Sequence, residues 1–246
     1  MDVLNVNRFV ITCAVVSVLS TSSHAQTAGK FFFTAGWLHF APQDSSSPFK
    51  LTSVGGNPVD ITIPNTGAAI SNADTVGVTA GYFVTDHIAA ELVFGVPPEF
   101  DVGGTGSLAP FGKLGTVKQW SPALIFKYFF LAPQSRFRPY LGIGVTRTSF
   151  SDAKITNAAF EADALGGPTN VEVNTVWAPV FDVGFIYAFS EHWFAGFSVS
   201  YVPMSTTGIL TTQSQSQTPG GTLSRRYEVK VSVDPIVTYL RVGYRF

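Results

Sequence analysis

Apolar residues recur at every second position in eight separate stretches of this 246-residue chain, the period of a strand with one greasy face. In 75–84, Val76, Val78, Ala80, Tyr82 and Val84 alternate with Thr75, Gly77, Thr79, Gly81 and Phe83. After Thr85 and Asp86 the pattern resumes over 87–96 with Ile88, Ala90, Leu92, Phe94 and Val96, so the two stretches predict a tight hairpin. The same reading places strands at 30–40, 118–130, 138–150, 175–189, 193–204 and about 224–246. Short connections between the second and third, fourth and fifth, and sixth and seventh strands alternate with long ones at 41–73, 97–117, 151–174 and about 205–223. The long ones contain runs such as APQDSSSPF and QSQSQTPGGT, which are polar loop compositions.

Residues 1–25 are set apart from this pattern. Arg8, the apolar run from Phe9 to Leu19 and the small-x-small sequence Ser23-His24-Ala25 predict a cleaved secretory signal, leaving 26–246 as a single barrel domain. That apolar run is too short to cross a bilayer as a retained helix. Cys13, the only cysteine, lies inside it, so the mature chain is expected to lack disulfides, cysteine nucleophiles and cysteine metal sites. A net charge of -1 and the absence of any basic run point away from nucleic acid.

No later segment approaches eighteen uninterrupted apolar residues, and a chain that spans lipid without helices must close its sheet, because lipid cannot satisfy an open edge. The expected fold is therefore all-β: an eight-stranded antiparallel transmembrane barrel with short periplasmic turns and longer extracellular loops. A soluble eight-stranded barrel is the alternative. The faces decide between them. Leu141, Ile143 and Val145 share one face of 138–150, while Arg138, Gly142, Gly144 and Thr146 share the other, which suits a cramped and partly charged interior. Trp37, Tyr82, Trp120, Tyr128, Trp177, Trp193, Tyr201 and Tyr244 fall near strand ends, as in two aromatic girdles around a lipid belt. The final stretch TYLRVGYRF places Ile236, Leu240, Val242, Tyr244 and Phe246 on the lipid face. It resembles the signal read by the outer-membrane barrel insertion machinery. Deleting Phe246 is accordingly expected to reduce the heat-modifiable barrel in outer-membrane fractions, and an unchanged yield would count against Tyr244 and Phe246 as an insertion signal.

TAGYFVTDHIAAELVFGVP, SPALIFKYFF, FRPYLGIGVTRTSF and DPIVTYLRVGYRF, in that order and spacing, resemble the OmpW family of small outer-membrane barrels over nearly all of the mature chain. The resemblance implies a monomer in the outer membrane of a Gram-negative bacterium and passive uptake of small hydrophobic molecules without any cofactor. It also implies an interior constriction formed by a Leu and a Trp. Their positions match Val93 and Ser200 here, so the large aromatic is missing and the constriction is expected to be wider or wetter.

The inward register places Leu38, Phe40, Val93, Gly95, Val180, Ser200, Val202 and Met204 toward the long loops, a mostly apolar funnel. Toward the short turns it places Glu91, Lys127, Arg138, Tyr140, Tyr239, Arg241 and Arg245, with Asp182 near mid-height. Charges so placed must pair or meet water. They predict an ionic plug, which serves either as packing in a narrow barrel or as a barrier. If the plug is a barrier, a solute must leave sideways, and Pro42, Pro97, Pro98, Pro179 and Pro203 near the long-loop rim could leave gaps in the wall.

Enzyme activity is not expected. An acyl hydrolase needs Ser, His and an acid within reach of one another, whereas His39 faces lipid and His87 and His192 lie in short turns. These histidines are too far apart in height for a metal site. The competing function is a surface-binding or structural barrel, a receptor for host surfaces, phage or bacteriocins. On that reading Arg225 and Arg226 could meet lipopolysaccharide phosphates, whereas Phe111, Phe160 and Leu165 put apolar residues into otherwise polar loops, as expected of a funnel mouth rather than an adhesive face.

Overall fold

The computed structural model describes residues 28–215 and 222–246, so the expected leader lies outside the described residues. Eight strands close into a ring: β1 (Phe31–Ala41), β2 (Ala73–Phe83), β3 (Ile88–Gly95), β4 (Ala123–Phe129), β5 (Phe137–Ile155), β6 (Val176–Ala188), β7 (Trp193–Tyr201) and β8 (Ile236–Arg245). Each pairs antiparallel with its chain neighbours, and β1 closes on β8 from Phe32↔Arg245 to Ala41↔Ile236. Closure leaves no free edge in the hydrocarbon, the condition a spanning sheet must meet.

Period two now becomes two environments. Leu141, Ile143, Val183 and Leu240 are more than half exposed on the outer face, an arrangement that only lipid can cover. Tyr82, Tyr128 and Trp193 ring the short-turn end, while Trp37, Trp120 and Trp177 ring the other. At the latter rim Trp37 Nε1 donates to Asp74 Oδ1 at 2.9 Å, and His39 Nδ1 lies 2.8 Å from the same oxygen. The other two described histidines are likewise held by local contacts: His87 Nδ1 is 2.7 Å from Phe129 O, and the His192 ring stacks on Tyr244.

The long connections differ from the expectation of polar loops. Among the described residues they carry nine further strands, which continue the barrel wall beyond the membrane. Ser45–Ser46, Lys50–Val54, Asn57–Thr62, Thr169–Val173, Ser205–Gln215 and Thr222–Ser232 form one sheet. Thr66–Ile70, Glu99–Gly106 and Lys113–Trp120 extend along the upper part of β5. An apolar core lies between the two groups, including Phe49, Leu114, Phe160, Leu165, Leu210 and Val229. Phe160 and Leu165 are thus buried in this core, and Phe111 packs against it with its ring 5.6 Å from Phe160.

Two expected strands are also shorter. The run 224–246 breaks at Asp234, whose φ is 37°, and Pro235, so β8 begins at Ile236 and the earlier half belongs to the outer sheet. The run 118–130 breaks between Trp120 and Ala123, where Pro122 supplies no ladder donor. On the outer segments Lys118 donates to Asp152 at 2.9 Å, which raises the lysine pKa and lowers that of the aspartate. Both side chains are solvated, so the pair adds little to stability.

Candidate transport site: the barrel interior

From the short-turn end upward, the first inward layer is apolar. Phe32, Phe83, Phe129 and Phe194 are at most 4% exposed and pack with Ala89, Ile186 and Ala188. Their rings meet in tilted and edge contacts, with centroids 5.2 Å apart for Phe32 and Phe83 and 5.4 Å for Phe83 and Phe129. Arg138 lies over Phe129, 4.8 Å from its centroid, and reaches the rim, where Nη2 donates to Asp86 O at 2.6 Å and Nε to Leu131 O at 3.1 Å. Arg245 makes the same kind of contact, its guanidinium donating to Glu191 O. These two arginines therefore serve the carbonyls of the short turns, which no ladder satisfies, and stand apart from the ionic layer in which the sequence reading grouped them.

The ionic layer lies above. Lys127 Nζ donates to Glu91 Oε2 at 2.7 Å, and Arg241 grips the same carboxylate with Nη1 at 2.7 Å and Nη2 at 3.3 Å. Lys127 Nζ also stands 3.1 Å from Asp182 Oδ2, and the Tyr140 hydroxyl accepts from Lys127 and Arg241 at 3.3 and 3.2 Å. Two acids face two bases, all at most 4% exposed, so the layer is neutral as a set. Glycine makes it fit. A Cβ on Gly142 would stand 3.2 Å from both Asp182 Cβ and Lys127 Cγ, and one on Gly184 would stand 2.6 Å from the Tyr140 hydroxyl. Gly142, noted on the inner face in the sequence, and Gly184 are part of the room in which these side chains sit.

Above the charges the interior opens. Leu38, Phe40, Val93, Val180, Val202 and Met204 line a chamber with Ser200, a space of about 850 Å³ counting its mouth. Lys127 and Asp182 form part of its floor, and Ser200 Oγ donates to Asp182 Oδ1 at 2.7 Å. A second chamber of about 880 Å³ lies among the outer strands, lined by Phe49, Phe100, Val117, Phe160, Leu210 and Val229. Gln119 lines both. Sequence reasoning missed the outer chamber. The available signal was the alternation of Leu210, Gly208 and Thr206 and of Tyr227, Val229 and Val231, hidden by the polar residues between them.

The wall beside the inner chamber is incompletely zipped. The ladder between β6 and β7 ends at Phe181↔Tyr201, and the next pairing beyond it is Val173↔Gly208. Between them, 176–180 pairs with β5 only. Continuing the register would set Pro179 opposite Pro203. Val202 N–H donates to Pro235 O at 3.2 Å on the β8 side, so by alternation the nitrogen at 203 faces β6, where proline has no hydrogen to give.

With the barrel, its belt and its apolar interior in place, the decisive comparison is a match to the OmpW family model over residues 27–246. The chain belongs to the OmpW family. It is 29% identical over 237 residues to outer membrane protein W of Escherichia coli (strain K12), covering 96% of this chain and 98% of that protein. Outer membrane protein AlkL of Ectopseudomonas oleovorans is 29% identical over 186 residues, 75% of this chain and 71% of that protein. Among solved structures, outer membrane protein OprG from Pseudomonas aeruginosa superposes with a TM-score of 0.75 at 28% identity, covering 90% of this chain and 98% of that one. As an OmpW-family barrel the chain resides in the outer membrane of a Gram-negative bacterium.

Proposed function

We propose that this OmpW-family barrel takes up small hydrophobic molecules passively, admitting them through the outer chamber into the inner one and releasing them sideways into the bilayer. The observation that carries this reading is the interior itself: two apolar chambers above an ionic layer and an aromatic seal. A polar solute would find few partners in the outer chamber, which it must cross first, and every solute meets packed rings toward the periplasm. The stretch 176–180, unpaired on its β7 side, then offers a way out at the height of the inner chamber. On this reading the ionic layer acts as a barrier as well as packing. Lipopolysaccharide around the outer rim and the insertion machinery are the partners this monomer would need.

The test is entry of a small hydrophobic probe and a polar probe of similar size into cells lacking their own copy, with and without this protein. Faster entry of the hydrophobic probe alone is expected, and Ser200→Trp, which fills the floor of the inner chamber, should slow it. Equal entry of both probes would make the barrel an aqueous pore, and entry of neither would favour a surface-binding role.

A further inference from the structure

The floor of the inner chamber is not uniformly apolar. Ser200 is half-buried at the chamber surface and gives its only proton to Asp182 Oδ1, so its remaining hydrogen-bonding capacity is acceptor capacity, strengthened by the carboxylate behind it. The other carboxylate oxygen, Asp182 Oδ2, is buried and ion-paired with Lys127 Nζ at 3.1 Å, away from the chamber. The acceptor capacity open to the chamber is therefore that of Ser200 Oγ, beneath apolar walls of Leu38, Val93, Val180 and Val202.

We propose that the Ser200–Asp182 pair is a head-group subsite for amphiphiles bearing one neutral hydrogen-bond donor, an alcohol or phenol hydroxyl, which donates to Ser200 Oγ while the chamber walls hold the hydrocarbon. This rests on the hydrophobic-uptake reading and names its solute class. Ionised head groups fit less well. An anion would face the Asp182 carboxylate, and a cation would enter beside Lys127 in a layer whose two acids already balance two bases. A neutral hydroxyl loses its water on entry and recovers a hydrogen bond to an acceptor polarised by the carboxylate behind it, whereas an ether of the same shape recovers none.

The experiment is a fluorine NMR titration of the full barrel in nanodiscs with 4-fluorobenzyl alcohol and with its methyl ether, each corrected for partition into empty nanodiscs. The wild type is expected to bind the alcohol about tenfold more tightly than the ether, the ratio expected of one hydrogen bond to a charge-backed acceptor. Ser200→Thr, which keeps the hydroxyl, should preserve that ratio. Ser200→Val, of the same shape but covering the carboxylate with methyl groups, should bring it to within about twofold, since only burial of the ring then remains. Equal binding of alcohol and ether by the wild type, or a ratio that survives Ser200→Val, would overturn the subsite and leave hydrophobic uptake standing. Binding of neither probe would overturn both.

Discussion

Replacing Glu91 with Leu is expected to cost about 3–5 kcal/mol of barrel stability, read as a lower urea midpoint for loss of the heat-modifiable folded band. Glu91 is the shared partner of Lys127 and Arg241, and all three side chains are at most 2% exposed. Without it the layer holds one carboxylate, Asp182, against two cations, and one of those cations remains buried without compensation. The cost comes from that uncompensated charge rather than from the value of an ion pair, because well-packed apolar side chains can replace a buried pair at little loss. The double variant Glu91→Leu/Arg241→Leu makes the distinction, leaving Lys127 and Asp182 as a balanced pair 3.1 Å apart. It should recover most of the stability. A single variant as stable as the wild type would show that water enters the layer freely, and the layer would then be no barrier.

The barrel was legible in the sequence because its two faces meet opposite environments. Leu141, Ile143 and Val145 against Gly142, Gly144 and Thr146 form a pattern that only a lipid face and a crowded interior explain together. The outer strands were not legible by the same rule. Glu228 and Lys230 alternate with Tyr227, Val229 and Val231, so the segment is as regular as a barrel strand, yet its other face meets water rather than lipid. The place where one regime gives way to the other is set by single backbone features, Asp234 with positive φ before Pro235 and Pro122 after Ser121. Apolar periodicity does not register these breaks. Alternation alone assigns a residue to a face, but which charges meet depends on stagger between strands. Arg138 and Arg245 share that face with Glu91 and nevertheless reach down to turn carbonyls. The seal formed by Phe32, Phe83, Phe129 and Phe194 had no signal beyond aromatic content, since its members come from four strands.

Closing the seam between β6 and β7 is expected to slow hydrophobic uptake strongly while leaving the barrel folded. Pro179→Val/Pro203→Val would return two N–H donors to positions that the continued register sets opposite each other. Two ladder bonds at about 1 kcal/mol each would add roughly 2 kcal/mol to any opening of the wall there, about thirtyfold in the rate of passage if the seam is the exit. A covalent version separates closure from side effects. Cys13 is the only cysteine in the sequence and lies in the expected leader, so Pro179→Cys/Pro203→Cys would introduce a single pair. Directly opposed strand positions bring their Cβ atoms within about 4.5–5.5 Å. Oxidation, followed by a mobility shift, should lower uptake of the hydrophobic probe, and reduction should restore it in the same cells. If uptake is unchanged with the crosslink formed, the solute leaves elsewhere. Another interruption of the wall, between Val93↔Ala123 and Glu99↔Lys118, would then be the next exit to examine, because Pro97, Pro98 and Pro122 supply no ladder donors there and Gln119 N to Pro98 O is the backbone bond that crosses it.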